Sequence, residues 1–163
     1  MISKHISYRE ATFSETAFRL GIDNTPNEIQ LENMKFIAET IFEPLRILLG
    51  DRPIRISSFF RCKKLNQIIG GSPDSQHVCL GYTAAMDLDN DNSKTGPTNK
   101  EIFMTIRNNM IFDQLISEFA DKDNPSWVHV SIRNDDLGKN RNEIMMSYYQ
   151  DNCVKYKKIC LKI

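Results

Sequence analysis

Few side chains in this chain suit metal or acid–base chemistry, so their types and spacing carry weight. Histidine occurs three times, as His5, His77 and His129. His77 lies in the Gly/Ser-rich stretch GGSPDSQHVCLGYTAAMDLD (70–89), ten positions before Asp87. Zinc accepts imidazole nitrogen and carboxylate oxygen, and a catalytic zinc keeps three protein ligands plus an open position. His77 and Asp87 supply two. Residues 84–89 (AAMDLD) read as a strand, with Asp87 and Asp89 on one face and Met86 and Leu88 on the other. A carboxylate on an otherwise apolar strand needs a partner, and a metal is one; the plain alternative is a surface loop followed by a strand with exposed acids. In WVHVS (127–131), Val128 and Val130 face a core, while Trp127, His129 and Ser131 face away from it. His129 is therefore either a third ligand or a structural histidine.

Two more residues fit around that pair. If residues 112–118 (FDQLISE) and 127–133 (WVHVSIR) form a symmetric hairpin, Glu118 falls opposite Trp127 and Ile116 opposite His129. Glu118 then shares a face with His129, within reach of a metal-bound water as a general base. Arg61 follows the strand-like segment 53–58 and can fork onto a carboxylate or an oxyanion, or stand in solvent as an ordinary surface arginine.

The elements that must hold these residues are partly legible. Thr25-Pro26-Asn27-Glu28 reads as a capping box with Pro at the first helical position. Apolar residues then recur with the 3.6-residue period from Leu31 to Leu49, and Gly50 stops the helix. Pro44, inside that run, should kink or split it. Short helices are expected at residues 14–20 and 61–69, and another from Thr98 with Glu101 to about 109. Strands are expected at 53–58, 84–89, 112–118, 127–133 and 143–149. Early helices and late, closely spaced strands give an α+β layer fold, an antiparallel sheet backed by helices. One domain over residues 1–163 is expected, with 151–163 left unassigned.

Composition narrows the class. The chain has 163 residues, 26% charged and 40% hydrophobic, with 21 basic and 21 acidic side chains. That is ordinary for a globular domain with a real core. It argues against nucleic-acid binding through bulk positive charge. No run of 18 apolar residues is present, so no membrane-spanning helix is expected. The start, MISKHISYREATF, has no apolar segment of the secretory kind. Cys62, Cys79, Cys153 and Cys160 are too few and scattered for a disulfide framework and read as reduced.

In order along the chain, the motifs are Ser57-Ser58-Phe59-Phe60-Arg61; Ser75-Gln76-His77 with Gly81, Ala84 or Ala85, and Asp87; and Trp127-Val128-His129. This set resembles the zinc D-alanyl-D-alanine carboxypeptidase family, the VanX- and VanY-like peptidoglycan metallopeptidases. GIDNTP (21–26), PLR (44–46), the segment 65–77 and the segment 112–131 resemble its compact phage and bacterial branch in particular. The resemblance implies one zinc ion held by His77, Asp87 and His129 on the sheet face. It implies that Arg61 contacts substrate or stabilises the transition state, that Ser75 and Gln76 shape the substrate loop, and that Glu118 is the base. The implied function is hydrolysis of peptide bonds in peptidoglycan stem peptides, by a monomer, as a carboxypeptidase or an endopeptidase such as a phage endolysin. Such a protein would reach the wall from the host cytoplasm by holin-type release, or in a virion. The alternative is an inactive cell-wall-binding or virion structural domain on the same fold. Two departures stand out. His77 and Asp87 are ten apart where the family has seven, so either the longer loop bulges and Asp87 still reaches the metal, or Cys79 or Asp89 substitutes for it. Ser126 stands three positions before His129, where many relatives carry an acid.

Overall fold

The structure, a computed structural model, describes residues 1–91, 93–134 and 139–159. Two short helices, α1 (Tyr8–Thr12) and α2 (Glu15–Leu20), are capped by the hydroxyls of Ser7 and Ser14. Helix α3 (Glu28–Ile37) starts two residues later than the sequence suggests. Asn27 and Gln30 form a reciprocal capping box, each side chain bonding the other's backbone N–H at 2.9 Å. Thr25 is instead turned by Asp23, whose carboxylate accepts its N–H. The chain passes through a π-helical turn, Ala38–Phe42, into α4 (Glu43–Leu48). Pro44 sits in the first turn of α4, and the wide turn before it accommodates the missing N–H without splitting the helix. Gly50, at φ +72°, ends the run.

Strand β1 (Ile56–Ser58), helix α5 (Lys63–Ile68) and a 3₁₀ turn (Gln76–Val78) precede β2 (Thr83–Leu88). Helix α6 (Asn99–Asn109), with the expected Thr98–Glu101 capping box, leads to β3 (Gln114–Glu118), β4 (Trp127–Arg133), β5 (Glu143–Gln150) and β6 (Cys153–Lys158). The sheet order is β1-β2-β4-β3-β5-β6. Every pairing is antiparallel except β3–β5, which is parallel. The expectation of an antiparallel sheet thus holds at all but one pairing, and the reason for the exception is positional. β4 already has β2 and β3 on its two edges, so β5 cannot pair with β4 and instead lies on the free edge of β3. A strand returning antiparallel to β4 then runs parallel to β3. The segment left unassigned from sequence supplies β6. Asp151 and Asn152, both at positive φ, make the tight turn from β5 that suits a two-residue hairpin. Cys160 and the rest of 160–163 lie outside the described residues.

One face of the sheet is dry. Met86, Leu88, Val128, Val130 and Leu115 are fully buried there, in one core with Ile37, Ile41, Phe42, Leu45, Ile102 and Ile106 from the helices. Each such side chain contributes roughly 1.5–3 kcal/mol by its burial. The alternate residues, Asp87, His129, Ile116 and Glu118, necessarily point to the opposite face. Among the described residues, no helix is long and apolar enough to cross a membrane.

Candidate active site

The open face of the sheet gathers three ligand-type residues. Asp87 on β2 pairs in register with His129 on β4. His77 arrives from the 3₁₀ turn that precedes β2. The Asp87 Oδ1 atom lies 2.9 Å from His129 Nδ1 and 3.1 Å from His77 Nε2, and the two ring nitrogens are 3.3 Å apart. His77 Nδ1 lies 2.7 Å from the carbonyl oxygen of Phe59. A carbonyl can only accept, so Nδ1 carries the proton and Nε2 presents a lone pair to the cluster. Burial pushes the His77 pKa down, against the opposing pull of Asp87, so the ring stays neutral near pH 7. Burial would push Asp87 up, but the two histidines beside it outweigh burial and hold the carboxyl below its ordinary value.

The Ser57–Arg61 motif braces this cluster from β1. Ser57 donates its hydroxyl to the Asp87 carbonyl at 3.1 Å. Arg61 donates Nη2 to Asp87 Oδ2 at 2.7 Å, donates Nε to Ser58, and gives its backbone N–H to the His77 carbonyl. One Asp87 oxygen is thus held by arginine while the other faces the histidines. The ten-residue spacing is absorbed locally. Cys79 at φ +53° and Gly81 at φ +63° fold the extra residues into a turn, and Asp87 still meets His77. The two substitutes are placed elsewhere. Cys79 is buried in the core with its thiol pushed up to about 12 by desolvation. Asp89 falls beyond the end of β2, beside Arg55 and Asn99.

Glu118 sits on β3, opposite Trp127, with Ile116 opposite His129, the register expected from the hairpin. Glu118 and His129 are therefore diagonal neighbours on one face. The carboxyl is buried, and its Oε2 has no hydrogen-bond partner among the described residues. Burial pushes its pKa up, while the Ser147 hydroxyl and the charge of His129 pull the other way. A cleft of about 570 Å³ joins Arg61, Ser75, Gln76, Glu118 and the three-residue cluster. Gln76 donates Nε2 to Asp113 at 3.0 Å, which pins the residue next to His77. A larger adjoining cleft of about 760 Å³ shares Ser75 and Gln76 but has no member of the cluster in its wall.

A comparison with protein families matches residues 4–131 to the family described as Peptidase M15. The chain belongs to the peptidase M15 family. No curated protein matches it. M15 peptidases are zinc-dependent metallopeptidases that act on peptidoglycan, and the donor set here fits such an ion. Two imidazole nitrogens and one carboxylate oxygen is a known catalytic zinc set, and ligands at about 2.0–2.1 Å in tetrahedral array lie about 3.3 Å apart. The observed sides of 2.9, 3.1 and 3.3 Å come close to that. Two lone-pair acceptors, His77 Nε2 and Asp87 Oδ1, also face each other inside a buried cluster, an arrangement that a cation relieves.

The M15 match ends at Ser131, so it contains every site residue read from the sequence and stops before β5 and β6. Those strands nevertheless line the cleft, through Met145, Tyr149, Val154 and Tyr156. Burial and the negative charges of Glu118 and Asp87 push the Tyr156 hydroxyl up, which places it at the site electrostatically. The sequence reading missed these residues, together with Asn24, Asp113 and Ser147. Asn24 and Asp113 lie within the segments GIDNTP and FDQLI that carry the resemblance; a polar residue inside such a segment was the available signal.

Proposed function

We propose that this M15 peptidase hydrolyses peptide bonds in the stem peptides of bacterial peptidoglycan, using one zinc ion held by His77, Asp87 and His129. The observation that carries the reading is the convergence of those three side chains, 52 positions apart at the extremes, on one point of the open sheet face. When bound, zinc supplies Lewis acidity, polarising the scissile carbonyl and making a water molecule more acidic. Glu118 takes the proton of the attacking water and passes it to the leaving amine; burial raises its pKa toward the range a base–acid pair needs near neutral pH. Arg61 fixes the orientation of Asp87 and lines the cleft, where its remaining donors can meet the substrate's oxyanion or carboxylate. Ser75 and Gln76 form the loop against which the peptide lies.

The test is digestion of defined muropeptides by the parent protein, His77→Ala and His129→Ala, with mass analysis of the products and zinc content measured in each. The expected result is stoichiometric zinc and chelator-sensitive cleavage in the parent, and loss of both in the variants. Full zinc and full hydrolysis in both variants would overturn the assignment. The product masses report whether the enzyme acts as a carboxypeptidase or an endopeptidase.

A further inference from the structure

The catalytic face does not end at Glu118. On β5, Met145, Ser147 and Tyr149 share its side of the sheet, and the β5–β6 register sets Lys158, Tyr156 and Val154 beside them. Tyr149 stacks on Phe119 with ring centroids 4.6 Å apart, and Phe119 meets Trp127 at 5.4 Å. The result is an aromatic floor continuous with the cleft. Its outer part is open to solvent: Tyr149 is 70% exposed and Tyr156 54%. A single exposed apolar residue needs no explanation, but a contiguous apolar patch beside a cleft is a mark of a ligand-binding surface. Here it is joined to the site that holds the scissile bond, and strands from outside the family-matched span build it.

Its reach sets the size of the occupant. From β4, which carries His129, the order runs through β3 and β5 to β6. Three strand spacings of about 4.8 Å make about 14 Å. An extended peptide advances about 3.3–3.6 Å per residue, so that distance takes about four residues. A dipeptide held at the metal cluster would leave the floor uncovered. We infer that the β5–β6 hairpin is a substrate-length selector: Phe119, Tyr149 and Tyr156 seat an extended peptide arm of about four residues running outward from the scissile bond. This inference rests on the peptidase reading above and adds the substrate class, a long peptide in preference to a dipeptide. Tyr149 and Tyr156 are specificity residues in this scheme, and neither touches the reacting atoms.

Trp127, the chain's single tryptophan, touches this floor and reports on it. The full-length, zinc-free protein is titrated with three probes while tryptophan fluorescence is followed: a D-Ala-D-Ala dipeptide, a pentapeptide stem, and the same stem carrying its disaccharide. The pentapeptide is expected to bind at least about tenfold more tightly than the dipeptide. In Tyr149→Ala and Tyr156→Ala, both changes at exposed positions, that ratio should fall toward one, and Tyr149→Phe should restore it. Equal affinity for the two peptides, no loss of the ratio in the alanine variants, or a response that requires the disaccharide would each overturn the inference. Zinc-loaded enzyme assayed on the same probes separates the two readings. Cleavage without length discrimination sinks only the selector, whereas length discrimination without cleavage sinks the peptidase assignment.

Discussion

Glu118 and Asp113 are both buried carboxyls, and their surroundings push them in opposite directions. Glu118 has an unpartnered buried oxygen, and burial raises its pKa. A carboxyl with a raised folded pKa makes the folded state hold the extra proton, so stability falls as pH climbs from the ordinary glutamate range through the raised value. Glu118→Gln removes that penalty and, in the proposed mechanism, the base as well. The zinc-free variant should melt above the parent at pH 7, with the gap closing below about pH 4, where the carboxyl is neutral in both states. Its turnover should fall about 10²–10⁴-fold with zinc content unchanged. Calorimetry across pH and muropeptide kinetics measure the two effects; a variant that loses turnover without gaining stability would contradict the buried-charge argument. Asp113 has no exposed surface and accepts hydrogen bonds from Gln76, Arg133 and Arg141. Burial pushes its pKa up, but the bonds and charge of Arg141 outweigh it and hold the value low. Its stabilisation is therefore present above the unfolded value of about 3.9 and lost as pH falls through the lower folded one. Removing one partner of a fully buried pair costs about 3–5 kcal/mol. The Arg133 and Arg141 side chains are 39% and 45% exposed, so solvent screening reduces the expected cost. Asp113→Asn should lose about 2–3 kcal/mol in urea unfolding at pH 7, the deficit narrowing only below about pH 4.

At the scale of elements, the site depends on how a few backbone segments are tied. Asn24 donates Nδ2 to the carbonyls of Thr12 and Phe60 and accepts the Cys62 N–H at 2.7 Å. It clamps the residues on either side of Arg61 to the end of α1. Asn24→Ala should cost about 1–3 kcal/mol for the partly buried groups it leaves unpaired. With Arg61 loosened, kcat/KM should fall at least about tenfold, because small misplacements of a positioning group are expensive. Zinc content should not change, since Asn24 touches no member of the cluster; metal analysis alongside kinetics checks this, and parallel loss of zinc would refute the clamp. Such ties explain what the sequence could and could not reveal. Alternation in 84–89 and 127–133 exposed which face Asp87 and His129 share, because a strand's period is local. The 112–118 and 127–133 hairpin was legible for the same reason, through its register. The role of Asn24 was hidden because its partners lie 12, 36 and 38 positions away. The parallel β3–β5 pairing was hidden because it follows from which sheet edge is free. β6 was hidden because CVKYKK is exposed along its whole length, so no buried face imprints a pattern. Its lysines instead suit an edge strand that must not recruit another.

Across the whole molecule, the two faces of the sheet divide stability from chemistry. The helices and the inner residues of β2, β3 and β4 form the core, while His77, Asp87, His129 and Glu118 lie on the other side. No core side chain needs the metal to reach its place, and His77 is already oriented by the Phe59 carbonyl. The zinc-free protein should therefore stay folded and unfold cooperatively. Zinc would then act as a ligand of the native state, contributing about 2.7 kcal/mol at a free concentration 100-fold above Kd. For a domain of this size each kcal/mol moves Tm by about 2–4 °C, so chelation should lower Tm by about 5–10 °C. A melting series against buffered free zinc should rise logarithmically in the parent and stay flat in His129→Ala. His129→Ala removes one proposed ligand from an open face and leaves Val128 and Val130 in the core. A collapse of the fold on chelation would mean that the cluster belongs to the folding core after all. A parent Tm indifferent to zinc would mean that the three ligand atoms, close as they are, do not hold an ion.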